Sequence, residues 1–368
     1  MGNHFLSYLH VGNMGGTNLA YLQDGESLIY LPLIMKMAVA SSHYMNISKL
    51  GFDPYSLGQT DAPIHQLLLQ SGERLIFVLA WGQPCKFSAI EWGAYSYDGA
   101  CHAISQLQDH IEDYLIGYCT RMQNIRPGDP GENCGDRYNP LAVPLIIGLG
   151  VDNCIGGPGC SNHPGSPSNA VTYEHGQAWG AMVQSVTNFV ANNGYAYQIF
   201  IVGAMDIEAS WNTYTNTKAW LNGYKDASSR NFYNYGTCDC PDGYQPFAPF
   251  HRDWSYDRIH EISARGLPVK YPLPEIYRTD GIDARRWQGL SKWAVINGYS
   301  KLTFQELLTE YGACSQTFNC EGDQINNPPG NAISQMLQAL NADPQTAGGL
   351  VSYVRSTDIN WYPSPPGP

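Results

Sequence analysis

The stretch Ile199-Phe-Ile-Val-Gly-Ala-Met-Asp206-Ile-Glu208 decides how the chain is read. An apolar run ends in two carboxylates two positions apart. Strand side chains repeat every two residues, so both acids fall on one face, with Cα atoms roughly 6.5 Å apart. Like charges so placed raise one another's pKa, which is how a general acid is prepared near neutral pH.

Outward from this stretch, short apolar runs ending in polar, Gly or acidic residues recur at 75–81, 143–151, 231–235, 271–277 and 350–354. Helical i, i+3, i+4 spacing marks 101–122, 173–193, 216–225, 255–265, 282–297 and 332–341. Strand alternating with helix implies parallel strands joined by right-handed crossovers. The expected fold is α/β: a TIM-like (β/α) barrel with long loops over residues 73–362. Residues 1–72 lack a clear period and are read as an N-terminal extension or small module, and 363–368 as a Pro-rich tail. Pro/Gly-rich stretches at 126–134, 156–168 and 240–249 are insertions of the kind that shape a barrel's catalytic face.

Composition narrows the function. Lys+Arg 20 against Asp+Glu 32 gives a net charge of −12, which disfavours nucleic acid as a partner. The most apolar stretch, 28–40, contains Pro32 and Lys36 and falls short of the roughly 20 residues a bilayer needs, so no membrane span is expected. No signal-peptide pattern opens the chain; a secretory signal is either absent or already removed. GxGxxG, GxxxxGK[ST] and GxSxG are all missing, which argues against dinucleotide, P-loop and nucleophile-elbow chemistry. No redox or nucleotide cofactor and no resident metal is expected.

The 10 cysteines include two pairs at the same six-residue offset, Cys154/Cys160 and Cys314/Cys320. They are read as short-loop disulfides in a secreted or surface-exposed protein. The rivals are zinc held by Cys238 and Cys240, without the second ligand pair such a site needs, and free thiols in a reducing cytoplasm.

Other runs deliver acids to the same end as Asp206 and Glu208: Asp152, Glu275 and Asp358 each follow one. Trp81, Trp92, Trp211, Tyr233, Tyr235, Tyr277 and Trp361 follow or flank the run ends. Aromatic rings stack on the apolar faces of sugars, so acids interleaved with aromatics suggest a carbohydrate cleft. The plainer alternatives are loop or cap roles for Asp152 and Asp358, core packing for each aromatic, and backbone-bonded strand-end acids for Asp206 and Glu208. His251, Asp253, Asp257 and His260 are read as part of a capped amphipathic helix rather than as metal ligands.

Met205-Asp206-Ile207-Glu208 resembles the D-x-E strand of the family-25 glycoside hydrolases, the muramidase type of lysozyme. Ser356-Thr-Asp-Ile-Asn-Trp361 resembles their closing V-D-L-N strand, and Asn231-Phe-Tyr-Asn-Tyr-Gly236 their aromatic strand after the acidic one. Segments 206–211, 218–224, 272–277 and 284–290 are similar to a group of secreted bacterial glycoside hydrolase-like proteins. The resemblance runs in order over about 74–361. It implies Glu208 as general acid, Asp206 as its electrostatic partner and Asp358 as the acid of the last strand. One departure stands out: the run read as the first barrel strand ends Leu79-Ala-Trp-Gly-Gln83, where the lysozymes carry an aspartate (G-x-D-x-S). The expectation is a secreted glycosidase acting on a polysaccharide, with a cell-wall amino-sugar polymer among the candidates. The alternatives are a catalytically silent barrel that binds carbohydrate or self-assembles, and a hydrolase with a metal among Asp152, Asp206 and Glu275.

Overall fold

In the computed structural model the described residues are 9–14, 17–24, 27–31, 40–69, 75–97, 99–125, 134, 145–155, 170–266, 268–317 and 326–364. The chain divides into two compact units, Met1–Ala38 and Val39–Pro368. The smaller is a three-stranded antiparallel meander: β1 (Leu9–Met14), β2 (Thr17–Asp24) and β3 (Ser27–Leu31). The boundary falls well ahead of residue 73, because the next strand and helix already belong to the larger unit.

That unit alternates strand and helix. It runs β4 (Ser41–Met45), α1 (Pro54–Leu69), β5 (Leu75–Ala80), then a small antiparallel sheet of β6 (Gln83–Lys86), β7 (Trp92–Tyr95) and β8 (Cys101–Ala103). It continues α2 (Ile104–Ile125), β9 (Leu145–Asp152), α3 (Tyr173–Asn192), β10 (Ile199–Asp206), α4 (Tyr214–Ala227), β11 (Phe232–Asn234), α5 (Tyr256–Ala264) and β12 (Lys270–Pro272). It ends α6 (Ile282–Ile296), β13 (Phe304–Thr309), α7 (Tyr311–Thr317), α8 (Pro329–Asn341) and β14 (Leu350–Tyr362). Eight strands form one all-parallel sheet in the order β12-β11-β10-β9-β5-β4-β14-β13. A bridge between Glu275 and Leu308 brings its two ends together, with Ile276 N–H donating to Leu308 O at 2.9 Å and Leu308 N–H to Pro274 O at 2.9 Å. The sheet is nearly closed and helices surround it.

Two strands went unread in the sequence for a physical reason. β4 is Ser-Ser-His-Tyr-Met and β13 is Phe-Gln-Glu-Leu-Leu-Thr, so neither is an apolar run. Their polar side chains serve the sheet instead. Glu306 accepts from Ile76 N–H at 2.7 Å and Ser42 Oγ from Val78 N–H at 2.9 Å, where the short β4 leaves β5 without ladder partners. The run at 75–81 is therefore the second strand of the sheet, not the first.

Side-chain parity sorts the core into two layers. Leu75, Phe77, Leu79 and Trp81 pack outward among the helices, while Ile76, Val78 and Ala80 point inward with Ile146, Val202, Ala204, Tyr233, Tyr235, Leu273 and Ile359. The interior is filled rather than open. Gly150 makes room for Tyr235: a Cβ there would lie 2.8 Å from its ring and 2.8 Å from Val78. Helices begin where capping residues take up free N–H groups, as Thr172, Thr213 and Ser255 do for α3, α4 and α5. Asp253 accepts from Tyr214 and Thr215 N–H at the start of α4, His260 packs on Trp293 and Tyr299, and Asp257 pairs with Arg265.

Cysteine pairs at disulfide distance join Cys85 to Cys101, Cys119 to Cys134 and Cys238 to Cys240. Cys154 and Cys314 are also disulfide-bonded, and no described cysteine is free; Cys160 and Cys320 lie outside the described residues. Cys238 and Cys240 thus bond each other, which leaves no thiolates there for zinc. No described helix is long and apolar enough to cross a membrane. Thiol titration of the denatured, unreduced chain is expected to find few free cysteines. A Cys85→Ser/Cys101→Ser double variant is expected to lose about 3 kcal/mol of stability in denaturant melts.

Candidate functional site

A cavity of about 530 Å³ opens where the strands of the parallel sheet end. Parity delivers its acids. Val202 and Ala204 point to the inside of the nearly closed sheet, so Asp206 two residues on does too, and Glu208 follows it. Tyr271 and Leu273 aim Glu275 and Tyr277 inward, Ile146 shares its side of β9 with Asp152, and Ile359 aims Trp361. Trp211, on the loop after β10, also lines the cavity.

The same rule removes others. Asp358 lies one residue off the inward face of β14: its Oδ1 accepts from Thr309 Oγ1 at 2.8 Å and its Oδ2 from Gly312 N–H at 2.9 Å. It caps the start of α7 and does not line the cavity. Trp81 is fully buried in the helix layer. Tyr233 and Tyr235 are on the inward face but deeper, where they plug the interior; Tyr235 donates to Val151 O at 3.2 Å. These four, expected among the substrate contacts, do not line this cavity.

In their place stand residues the sequence did not disclose. Glu310 follows Leu308 at the right parity from the unread β13, and Tyr44 comes from the unread β4; Tyr44 donates its hydroxyl to Glu310. Tyr44, Tyr97 and Trp361 form one aromatic wall, with ring centroids 4.7 to 5.1 Å apart. Asp239, held between Cys238 and Cys240 at a φ of 48°, accepts from Ser210 N–H at 2.9 Å and lines the cavity beside Glu208. Arg278 and Arg286 complete the lining. Arg278 pairs with Asp280 at 2.7 Å, and Arg286 lies 3.4 Å from Asp283 and 3.8 Å from Asp239. The only signal available for these residues was position after a strand end, and that required the strands to be recognised.

Asp206, Glu208 and Glu275 each offer a carboxylate oxygen within 4.8 Å of the other two, and all three residues are buried. Glu208 is the supported member: Thr237 donates its hydroxyl at 2.8 Å and its N–H at 3.3 Å to Oε1, and Asn153 Oδ1 accepts the Glu208 N–H at 3.1 Å. Burial, then the neighbouring Asp239 charge, push the Glu208 carboxyl up to about 8 despite Thr237. Burial and the surrounding carboxylates hold Asp206 and Glu275 well above the usual range. Burial also raises Asp152 to about 7. In chemical terms, Glu208 can hold a proton near neutral pH, give it to a leaving group and itself become the carboxylate.

These shifts make stability depend on pH. Folding raises the carboxyls of Asp152, Glu208, Asp283 and Asp358 to between about 6 and 8, so the stability they carry in acid is lost as pH climbs through that range. His65, His175 and His260 are lowered to about 4 by burial; the stability they carry is fully present above their unfolded value of about 6.5 and is lost only as pH falls below it. Lys270, lowered to about 8 by burial, acts in the opposite sense only as pH rises past that value, so Tm is expected to fall between pH ~6.5 and ~7.5 in calorimetric scans.

No family model matches the chain, and no curated protein or solved structure matches it either.

Proposed function

We propose that the chain is a glycoside hydrolase built on a TIM-type (β/α) barrel, cleaving a polysaccharide by carboxylate acid/base catalysis. The observation that carries this reading is the buried Asp206–Glu208–Glu275 trio at the floor of an aromatic-walled cavity at the strands' C-terminal ends, where barrel active sites lie. Glu208, titrating near neutrality, protonates the leaving glycosidic oxygen. Asp206 faces the anomeric carbon and stabilises the positive charge that develops there. Water supplies the new bond to the anomeric carbon as the bond to the protonated leaving oxygen breaks. Tyr44, Tyr97 and Trp361 offer the sugar a stacking surface. The cystines support an extracellular setting.

The test is product analysis over a panel of cell-wall and storage glycans, wild type against Glu208→Gln. Release of new reducing ends by wild type alone supports the reading; release by neither, with binding intact, supports the silent carbohydrate-binding barrel. One observation favours that second reading: neither β4 nor the stretch 75–83 carries a carboxylate.

The pH profile follows from the protonated form being active. Activity is present below the Glu208 value and lost above it, so kcat/KM is expected to fall with an alkaline midpoint near 8. Asp239→Asn removes a like charge while keeping an acceptor for Ser210. It is expected to move that midpoint to lower pH by roughly one unit, read from the kcat/KM profile.

A further inference from the structure

Glu275 is 4% exposed and lines the cavity, with carboxylate oxygens of Asp206 and Glu208 within 4.8 Å of its own. Asp206 beside it leaves Oδ1 without a partner among the described residues. Around them Asp152, Glu208, Asp239 and Glu310 make six carboxylates, against two arginines already engaged by Asp280 and Asp283. Buried carboxyls this close cannot all ionise unless a cation joins them. A sugar hydroxyl brings one donor and no charge. A primary ammonium brings three donors and the missing charge, and it also suits the faces of tyrosine and tryptophan rings.

We infer that the substrate is a polysaccharide bearing free primary amines, of the 2-amino-2-deoxyhexose type, and that Glu275, with Asp206, holds the ammonium in the cavity. An N-acetylated sugar would present a neutral amide there, with one N–H donor and no charge to offset the clustered carboxylates. The inference rests on the hydrolase reading for the fate of the sugar, but not for its binding.

The experiment is calorimetric titration of the full chain with fully de-N-acetylated glucosamine hexaose, with its N-acetylated counterpart, and with MgCl2 and CaCl2 alone. It is run at about 50 and about 300 mM salt, on wild type and Glu275→Gln. Expected are binding of the amine hexaose at least ~10-fold tighter than the acetylated one, a several-fold loss of that affinity at high salt, and loss of most of the preference in the variant. Equal or tighter binding of the acetylated sugar, salt-independent binding, or binding of neither sugar overturns the inference. So does binding of Mg2+ or Ca2+ without the amine hexaose, which would make the trio a metal site. Wild-type selectivity and salt dependence decide the matter even if the variant fails to fold. Product analysis separates the two proposals: amine hexaose bound but uncleaved overturns the hydrolase reading alone, and cleavage confined to acetylated or neutral glycans overturns the amine inference alone.

Discussion

If the chain is the glycosidase proposed, Glu208→Gln is expected to lower kcat by about 10²–10⁴-fold while leaving glycan affinity within a few-fold of wild type. The amide keeps the shape of the side chain and a carbonyl oxygen that still accepts from Thr237 Oγ1, so the local scaffold of Thr237, Asn153 and Asn212 is undisturbed. What it loses is the proton, and with it the ability to neutralise the departing oxygen. The residual rate should also lose its alkaline limb near pH 8, because the group that sets the limb is gone. A variant whose kcat stays within about threefold of wild type would remove Glu208 from the chemistry altogether.

Gly236→Ala is expected to have the second large effect, on both stability and turnover. Gly236 lies between the ends of β10 and β12: its N–H donates to Asn234 Oδ1 at 3.1 Å and its O accepts from Glu275 N–H at 3.4 Å. A Cβ built on it would sit 2.4 Å from Asp206 Oδ1, 2.6 Å from Ile207 N and 2.7 Å from Ile207 O. Two of those three atoms are backbone, so the strand end carrying Asp206 must move. A loss of about 1–3 kcal/mol in stability is expected from overpacking. A loss of about 10²-fold in kcat is expected from displacing a group that must hold its geometry to about an ångström. Gly330→Ala is the control: nothing lies within 4 Å of its Cβ, and thermal melts should show a change of at most ~1 kcal/mol. If both variants melt and turn over like wild type, the close seat of Asp206 on Gly236 is not what fixes the site.

Most of the alternation was legible because buried parallel strands such as Leu145–Asp152 and Ile199–Asp206 must be apolar on both faces, which makes them long apolar runs. Ser41–Met45 and Phe304–Thr309 escaped because their polar side chains pair with the sheet itself, a use that has no periodic signature. Missing β4 extended the supposed N-terminal segment to residue 72 and shifted the count of strands by one. Missing β13 hid Glu310. The error at Asp358 was of another kind: the strand was recognised, but its register was not, and one residue separates the inward Ile359 from an outward acid.

From its sequence alone this chain determined the alternating strands and helices, the pairing of Asp206 with Glu208 on one face, and a covalent bracing by cysteines; each depends only on spacing along the backbone. The tertiary structure alone decided which acids and rings meet. Glu310, Asp239 and Tyr44 come from three segments far apart in the chain and reach one cavity only when the sheet curls toward closure. Tyr233 and Tyr235 end up as interior plugs for the same reason, since depth along a barrel axis is set by neighbouring strands and not by the strand that bears the residue.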